Sequence, residues 1–452
     1  MNPEFYRNLL LELTLHRLIA MPLILLLIYA AAGLGGDAGT VSEVAWYAVM
    51  GMLVLWGTRL AADAVLGEVV SRTWDSQRMS TIGPFAMGWA KLLGSTVYVW
   101  YGAALSAPAL LYGRERDFDD LLRIVMVGLF AQTVALFVSL LVQRLRPERL
   151  RFQVTASQLF GIGAAVSYWS VLQDAPSGLV GRGEMSWYGL SFPRDEFLLA
   201  SALAFLAWGW FGVYRLMRTE LQFRCWPVGW TAFVAFCGVY TGGFQIDRGL
   251  ARTGIFDIPS TGTVSQLLAA YLTVLTLVWL AAYAEPKGLV RLRRWGAALR
   301  GRDPRRILEA TPAWVPGMLL GVVVGIVLVL VWSLSAETRD VYAGFLNMES
   351  LAAFAVALFL FLLRDIGVIH FITLDGRKRR AHMTALVYLV VLYVLFPIVL
   401  ATADWEGALP AFLPHTQGHP LVITLPVLVQ VAIVGALLVV RWKRVAGAMA
   451  AA

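Results

Sequence analysis

The chain has little of what metal binding and redox chemistry use. Its 452 residues include 2 cysteines and 5 histidines, and only 15% of them are charged. Cys225 and Cys237 lie twelve positions apart, which on a helix is about 18 Å and too far for a disulfide. There is no CxxC. His415 and His419 have HxxxH spacing, but a single pair is a weak metal signal, and we interpret them as solvated loop histidines. Redox and metal-cluster chemistry are therefore not expected.

Nucleotide-binding and hydrolase motifs are missing as well. The sequence has no GxxxxGKS/T loop, so it lacks the usual cradle for the phosphates of ATP, and it has no HExxH or GxSxG. The share of charged residues is too low to cover the water-exposed surface of a soluble protein of this length. We expect no catalytic residue, no metal and no cofactor in this chain, so any ATP-driven work falls to another subunit.

Apolar sequence fills the chain instead, with 59% hydrophobic residues and a mean hydropathy of +0.70. Twelve stretches are close to the length a helix needs to cross a bilayer, about 20 residues. Because lipid offers no hydrogen bonds to the backbone, we predict an all-α polytopic helical membrane protein. The stretches are 18–35, 44–66, 92–112, 121–143, 153–172, 197–216, 226–246, 263–284, 312–335, 346–363, 383–403 and 421–440.

The basic residues predict the orientation of these spans. If the N-terminus is cytoplasmic, the inner connections hold 28 of the 37 Lys and Arg residues and the outer connections hold 8, while Arg59 lies inside a span. By the positive-inside rule both termini are then cytoplasmic. The net charge of +8 comes from basic loops facing anionic headgroups, so membrane lipid and not nucleic acid is the expected partner.

A helix that we predict to lie along the membrane surface begins each half of the chain. Asn2 and Pro3 form a cap and a first helical position, and Asp303 and Pro304 repeat that pattern. Each is followed by a span, a second span, a charged inner loop and a third span, which predicts a divergent internal repeat. We expect two six-span units, 1–224 and 225–452. The first has an interfacial helix (1–16) and an inner docking loop (67–91), and the second has a basic interfacial segment (285–311).

Charged residues mark a few points inside or near the spans. Arg59 and Asp63 lie one turn apart in the second predicted span. They are either a polar point on a transport path or, as we favour, an intrahelical ion pair near the inner surface. Arg364 and Asp365 follow the tenth predicted span and open a second inner loop. That loop continues with Arg377, Arg379 and Arg380.

Two further patterns concern contacts. Gly317, Gly321 and Gly325 form a stripe of small residues that lets another helix approach closely, either within the bundle or at a subunit seam. The inner loop 67–91 mixes both signs of charge with Trp74 and Met79, which we expect to be exposed. Exposed apolar residues among charges are typical of an interface, and a solvated connector is the alternative.

The chain resembles the permease subunits of ABC exporters of the ABC-2 type. The likeness lies in the flat helix 2–16, the stretch from Glu68 to Lys91, and the block 217–224 before the seventh span. In that family the loop between the second and third spans meets the ATPase. The resemblance implies a dimeric ABC ATPase partner that holds ATP and Mg, a bacterial inner-membrane location, and ATPase-coupling contacts from Glu68, Arg72, Thr73, Trp74, Asp75, Arg78 and Lys91.

A typical member of that family has six spans and works as a dimer. The twelve predicted here are either two fused unequal halves or a six-span unit with six further spans, and a second permease or an accessory subunit is a further expected partner. Two other classes stay open. An ion-coupled secondary transporter is supported by the basic run 375–380, but no acidic residue is predicted mid-span. A membrane-embedded transferase would need a catalytic residue, for which His370 is the candidate.

Overall fold

The computed structural model is 87% helical. It describes residues 2–112, 116–145, 150–173, 180–181, 184–223, 225–244, 262–285, 289–334, 348–374, 381–415 and 419–450. The chain folds into two compact units. One consists of 1–175 with 193–225, and the other of 176–192 with 226–452. The predicted division into two six-span units stays a prediction.

The described elements of the first unit are helices that pack into one bundle. In chain order they are α1 (Pro3–Glu12), α2 (Leu15–Gly35), α3 (Ala38–Met50), a π-helical segment (Gly51–Trp56), α4 (Gly57–Val70), α5 (Trp74–Arg78), α6 (Pro84–Tyr112), α7 (Phe118–Leu145), α8 (Leu150–Gln173) and α9 (Arg194–Glu220).

The second unit begins with a small sheet and continues with helices. In chain order its elements are β1 (Val180–Gly181), β2 (Glu184–Trp187), β3 (Leu190–Pro193), α10 (Val228–Gly242), α11 (Thr263–Ala284), α12 (Leu289–Gly301), α13 (Pro304–Ala310), α14 (Trp314–Leu334), α15 (Met348–Thr373), α16 (Ala381–Val390), a π-helical segment (Val391–Leu395), α17 (Phe396–Thr402), a 3-10 turn (Glu406–Ala411) and α18 (Pro420–Ala450).

The described part of every predicted apolar stretch is mostly helical, and the stretches 44–66 and 383–403 each run through two helices and the π-helical segment between them. Within the described residues, nine helical segments are long and apolar enough to cross a membrane. Of the others, α6 and α8 are long but less apolar, and α10 is shorter. The prediction of an all-α multi-pass membrane protein is confirmed. The number of twelve spans and the side on which each terminus lies stay predictions.

The two predicted helix starts are confirmed in detail. The Asn2 side chain accepts hydrogen bonds from the backbone N–H groups of Glu4 and Phe5, with Pro3 as the first helical residue. The Asp303 side chain accepts from the N–H of Arg305, with Pro304 first. In both cases a short polar side chain satisfies an N–H that the first helical turn leaves without a partner.

The predicted outer connection 173–196 contains the small sheet, which the sequence did not predict. Its strands follow the order β1-β2-β3, and β1 pairs antiparallel with β2. Tyr188 and Gly189, between β2 and β3, have φ angles of +50° and +76°. Two consecutive left-handed residues form the tight hairpin turn whose twist matches that of paired strands.

The glycine stripe of α14 faces α11 within the second unit. A methyl group added at Gly317 would lie 2.9 Å from the Val278 side chain, and one at Gly325 would lie 3.0 Å from Tyr271. Gly321 faces Leu275 in the same way, at 3.1 Å. The small residues therefore let α14 approach α11 closely, which is the bundle-packing interpretation and not the seam between subunits.

Candidate functional site

A cluster of four charged side chains joins three helices of the first unit. Lys91, on α6, lies with its Nζ 2.5 Å from Glu4 Oε1 and also in contact with Glu68 Oε2. Arg7 reaches the same two carboxylates, 2.7 Å from Glu4 and in direct contact with Glu68. We call Glu4, Arg7, Glu68 and Lys91 the amino-terminal cluster.

Local structure brings these residues together. Glu4 lies in the first turn of α1 and Arg7 one turn later, while Glu68 lies in the last turn of α4. The helix α1 packs along α6. Amide side chains hold it there, because Asn2 Nδ2 donates to the Ala86 carbonyl at 2.6 Å and Asn8 Nδ2 donates to the Ala90 carbonyl at 3.3 Å.

The cluster balances two carboxylates against two cations. The Lys91 side chain is only 1% exposed and that of Glu68 is 16% exposed. Burying a charge is costly unless it is paired and hydrogen-bonded, and both conditions hold here. Burial alone would lower the pKa of the Arg7 guanidinium, but the hydrogen bonds and charges of Glu68 and Glu4 outweigh burial and raise it.

The predicted inner docking loop is shorter than expected and is tied to this cluster. The helix α4 runs to Val70 and α6 starts at Pro84, so the connection is 71–83 with α5 inside it. Glu68 and Lys91 therefore lie on helices and not in the loop. Gln77 Nε2 donates to Glu68 Oε1 at 2.6 Å, which fixes α5 to the cluster.

The two apolar residues predicted to be exposed in this loop behave differently. Met79 is 82% exposed, as expected. The expectation for Trp74 is wrong, because its side chain is buried in the core formed by α4, α6 and α9. The Trp74 ring also lies 5.9 Å from Lys91 Nζ. Trp74 thus anchors α5 to the bundle.

The remaining predicted coupling residues divide into exposed and anchored ones. Arg72 and Thr73 are exposed, and Arg72 has a left-handed backbone with φ +59°. Asp75 is exposed and lies 3.4 Å from Arg78. Arg78 Nε donates to the Glu220 carbonyl at the end of α9, at 3.0 Å. The exposed side of the connection 71–83, which contains α5, therefore presents Arg72, Asp75 and Met79 to a partner.

A second buried group lies within the second unit, and it corrects one prediction. Arg364 and Asp365 were expected at the inner end of a span. Instead α15 continues to Thr373, so both lie inside a helix, and Arg364 lies about 13 Å from its end at 1.5 Å per residue. Arg364 is 1% exposed. The hydrophobic run continues on the far side of the pair, which is why the helix does not end there.

Side chains from neighbouring helices form hydrogen bonds with both members of this ion pair. Arg364 donates to Asp365 Oδ1 at 3.0 and 2.8 Å, and to Gln430 Oε1 of α18 at 2.9 Å. The Tyr393 hydroxyl donates to Asp365 Oδ2 at 2.9 Å, and the hydroxyl thereby binds the carboxylate oxygen that faces away from Arg364. We call Arg364, Asp365, Tyr393 and Gln430 the intrahelix cluster.

Aromatic rings cover the guanidinium of this cluster. The Arg364 Cζ lies 4.8 Å from the centre of the Phe361 ring and 4.7 Å from that of Tyr393. Tyr393 stands in the π-helical segment between α16 and α17. Such single π-turns are frequent at functional positions. The other residues predicted for the second inner loop, Arg377, Arg379 and Arg380, lie outside the described residues.

The intrahelical ion pair expected between Arg59 and Asp63 does not form. Both side chains are exposed on α4, and Arg59 Nη1 donates instead to Thr155 Oγ1 of α8 at 3.3 Å. An arginine can reach along a helix toward a polar partner because its stem is long and flexible. The interpretation as a polar point on a path stays a prediction.

Side-chain amides in α7 and α8 serve the first π-helical segment. Gln132 Nε2 donates to the Leu53 carbonyl at 3.0 Å, and Gln158 Nε2 donates to the Leu55 carbonyl at 3.0 Å. Trp100 Nε1 donates to Gln132 Oε1 at 3.0 Å. These glutamines stabilise an irregular backbone, since a widened turn displaces its carbonyls from their helical partners.

His370, the candidate catalytic residue of the transferase alternative, lies inside α15 near its end. Its Nδ1 lies 2.8 Å from the Ile366 carbonyl of its own helix, and its ring packs edge-on against Trp314 at 5.5 Å. Among the described residues, no group of three His, Cys, Asp or Glu side chains has the geometry of a metal site.

Sequence reasoning missed the partners of the charged residues. It gave no role to Arg7, Tyr393 or Gln430. A usable signal was present, since a glutamine or tyrosine inside an apolar stretch needs a hydrogen-bond partner. Which partner it finds depends on which helices pack together, and that information is not local.

No family model, no curated protein and no solved structure matches this chain. The class that the fold itself defines is an all-α, multi-pass membrane protein with buried charge clusters. What it does is therefore argued from its own residues.

Proposed function

We propose that the chain is the membrane-spanning subunit of an ATP-driven exporter of the ABC-2 type. In this proposal it has twelve spans with both termini in the cytoplasm of a bacterium, and a separate ABC ATPase docks on its inner loops. Support comes from the sequence resemblance, from the basic inner loops and from the arrangement around α5.

The observation on which the proposal depends is the rigid mounting of α5. A subunit without a nucleotide site can use ATP only if a partner pushes on one of its elements, and a loosely held loop would absorb that push. Here Trp74 is buried in the bundle core, Gln77 is bound to Glu68, and Arg78 is bound to the end of α9. A displacement of α5 would therefore move α4, α6 and α9 together.

The same geometry separates contact residues from mounting residues. Arg72, Asp75 and Met79 face outward and are the proposed contacts with the ATPase. Glu68, Trp74 and Lys91 face inward and form the rigid base. Thr73 is exposed beside Arg72, and Arg78 belongs to both groups, because its guanidinium holds α9 while Asp75 pairs with it.

The test reverses charge on the outward face only. Arg72→Glu with Asp75→Lys should lower the ATP hydrolysis that copurifies with the chain about tenfold, the loss expected for rim charges that guide docking. The matched control is Arg123→Glu with Asp195→Lys, which swaps an exposed ion pair 3.4 Å apart elsewhere in the first unit. Equal ATP hydrolysis for the double reversal, the control and the wild type would overturn the docking role.

One observation favours a second candidate function, an ion-coupled secondary transporter. The main sequence argument against it was that no acidic residue lies mid-span, and Asp365 now occupies such a position in α15. Buried acidic residues inside spans are typical of ion and proton pathways.

The two candidates differ in what drives transport. Vesicles that contain the purified chain alone, under an imposed proton gradient, can be screened with labelled lipids, peptides and sugars. Uptake that Asp365→Asn abolishes and Asp195→Asn does not would favour the secondary transporter. Transport that appears only when the ATPase and ATP are added would favour the exporter.

A further inference from the structure

The segment between α11 and α14 forms an arginine-rich helical hairpin. Residues 289–310 contain seven arginines and only two acidic residues, Asp303 and Glu309. The helices α12 and α13 pack against each other, and the turn between them contains Arg302 with a left-handed backbone, φ +53°. We call 289–310 the arginine hairpin.

One carboxylate, on a side chain that is 11% exposed, fixes both ends of the hairpin. Glu285, the residue that follows α11, lies 2.5 Å from Arg291 at the start of α12. Its two oxygens also accept from the backbone N–H of Ala313, at 3.2 and 3.0 Å, directly before α14. The hairpin therefore starts and finishes at the same point, at the ends of two membrane-spanning helices.

This attachment places the hairpin at a membrane surface. Both α11 and α14 are among the helices long and apolar enough to cross a bilayer. A segment of about twenty residues that is clamped at both ends to such helices stays close to the headgroup layer, and its charges act over roughly 8 Å at physiological salt.

Part of the apolar surface of the hairpin is buried, whereas six of its seven arginines are exposed together with Val290, Leu299 and Leu308. On α12 the inner side holds Leu292, Trp295 and Ala298, which are partly or fully buried. The outer side holds exposed arginines, and more follow in the turn and on α13. The exposed arginines are Arg293, Arg294, Arg300, Arg302, Arg305 and Arg306.

We propose that the arginine hairpin is a binding site for anionic phospholipid headgroups. The guanidinium group matches a phosphate with two parallel hydrogen bonds, and clusters of four to eight basic residues beside a span are typical of sites for anionic lipid. Glu285 pairs with Arg291 and Asp303 pairs with Arg306, and the other five arginines of the hairpin outnumber its one remaining acidic residue, Glu309. The proposal does not depend on what the chain transports.

The occupant is a lipid and not a soluble polyanion because of the position of the hairpin. The hairpin begins at the end of α11 and finishes at the start of α14. At these span ends the phosphate groups of lipids are always present at high density. A soluble phosphate or a nucleic acid would have to compete with that lipid surface for the arginines. Preferential binding of either one would contradict the proposal.

The experiment uses the full chain in phosphatidylcholine vesicles with a trace of spin-labelled phosphatidylglycerol or spin-labelled phosphatidylcholine. We expect the wild type to bind the anionic probe preferentially, and the preference to weaken in high salt because salt screens the attraction. No preference in the wild type would overturn the proposal without any variant. Displacement of the probe by millimolar inorganic phosphate, or stronger binding to single-stranded DNA than to the lipid, would also overturn it.

Two matched variants locate the site. Arg294→Gln with Arg300→Gln removes two exposed arginines of the hairpin and should weaken binding of the anionic probe about tenfold. Lys443→Gln with Arg444→Gln removes two exposed charges near the end of α18, also beside a span. This second variant should change binding less than twofold. Equal losses in the two variants would show that overall charge is responsible, and would refute a site at the hairpin.

Discussion

The amino-terminal cluster and the intrahelix cluster bury charge in opposite ways. The first takes two carboxylates and two cations from three helices, and part of it remains open, since the Arg7 side chain is 42% exposed. The second has one cation and one carboxylate, adjacent in sequence on one helix, and both are nearly fully buried. Its further partners, Tyr393 and Gln430, are neutral.

The difference shows what each cluster holds together. In the amino-terminal cluster the ionic bonds themselves run between α1, α4 and α6, so their loss would release helices. In the intrahelix cluster the charges neutralise one another along α15, and hydrogen bonds from α18 and the π-helical segment only complete them. Loss of either Arg364 or Asp365 would leave the other charge isolated inside the bundle.

The largest effect should come from breaking the intrahelix pair. Arg364→Met leaves Asp365 buried without its cation and should destabilise the protein by about 3–5 kcal/mol, as expected when one partner of a buried pair is removed. The measurement is equilibrium unfolding of the purified chain in mixed micelles. Adding Asp365→Asn to Arg364→Met should restore much of the loss, because no unpaired charge remains.

Two results would break this part of the comparison. If Arg364→Met unfolds as the wild type does, the pair is not buried as described. If the double variant is as unstable as the single one, the guanidinium acts by packing between the Phe361 and Tyr393 rings and not by its charge.

A smaller loss is expected at the amino-terminal cluster. Lys91→Met leaves Glu4 and Glu68 with Arg7 alone, and should cost about 2–3 kcal/mol, because the partly open site can admit water. The readout specific to this cluster is the release of α1, seen as faster proteolysis between α1 and α2. Lys91→Arg, which keeps the charge, should protect that connection better than Lys91→Met. Equal proteolysis of Lys91→Met and the wild type would show that the ionic bonds do not hold α1.

Much of the fold could be predicted from the sequence because its signals are local. Asn2 with Pro3, and Asp303 with Pro304, mark helix starts by chemistry that needs no distant partner. The apolar stretches identify the helices for the same reason. The small sheet was missed because its strands are only two to four residues long, too short for an alternating pattern to be recognised.

The candidate sites were less predictable because their partners are distant. A charged pair such as Arg364 and Asp365 looks like the end of a span, since nothing nearby in sequence can neutralise it. Tyr393 lies 28 positions from Asp365, and Gln430 lies 66 positions from Arg364. Trp74 was misjudged for a similar reason, because its burial depends on α9, more than a hundred residues later.

The smallest effect should come from the open edge of the amino-terminal cluster. Arg7→Gln removes a half-exposed cation and should cost less than about 1 kcal/mol, the range of solvent-exposed ion pairs. The raised pKa of Arg7 adds stability that is fully present below the unfolded value and is lost only as pH rises through the folded one. Both pKa values lie far above pH 9, because a guanidinium is charged throughout the ordinary pH range, so the Arg7 charge itself should contribute equally at pH 7 and pH 9. The measurement is unfolding in mixed micelles at both pH values, with Lys91→Met as the reference. A loss from Arg7→Gln as large as that from Lys91→Met would mean that the cluster is closed to water at Arg7 as well. The two clusters would then no longer differ in openness, but only in whether their charges come from one helix or from three.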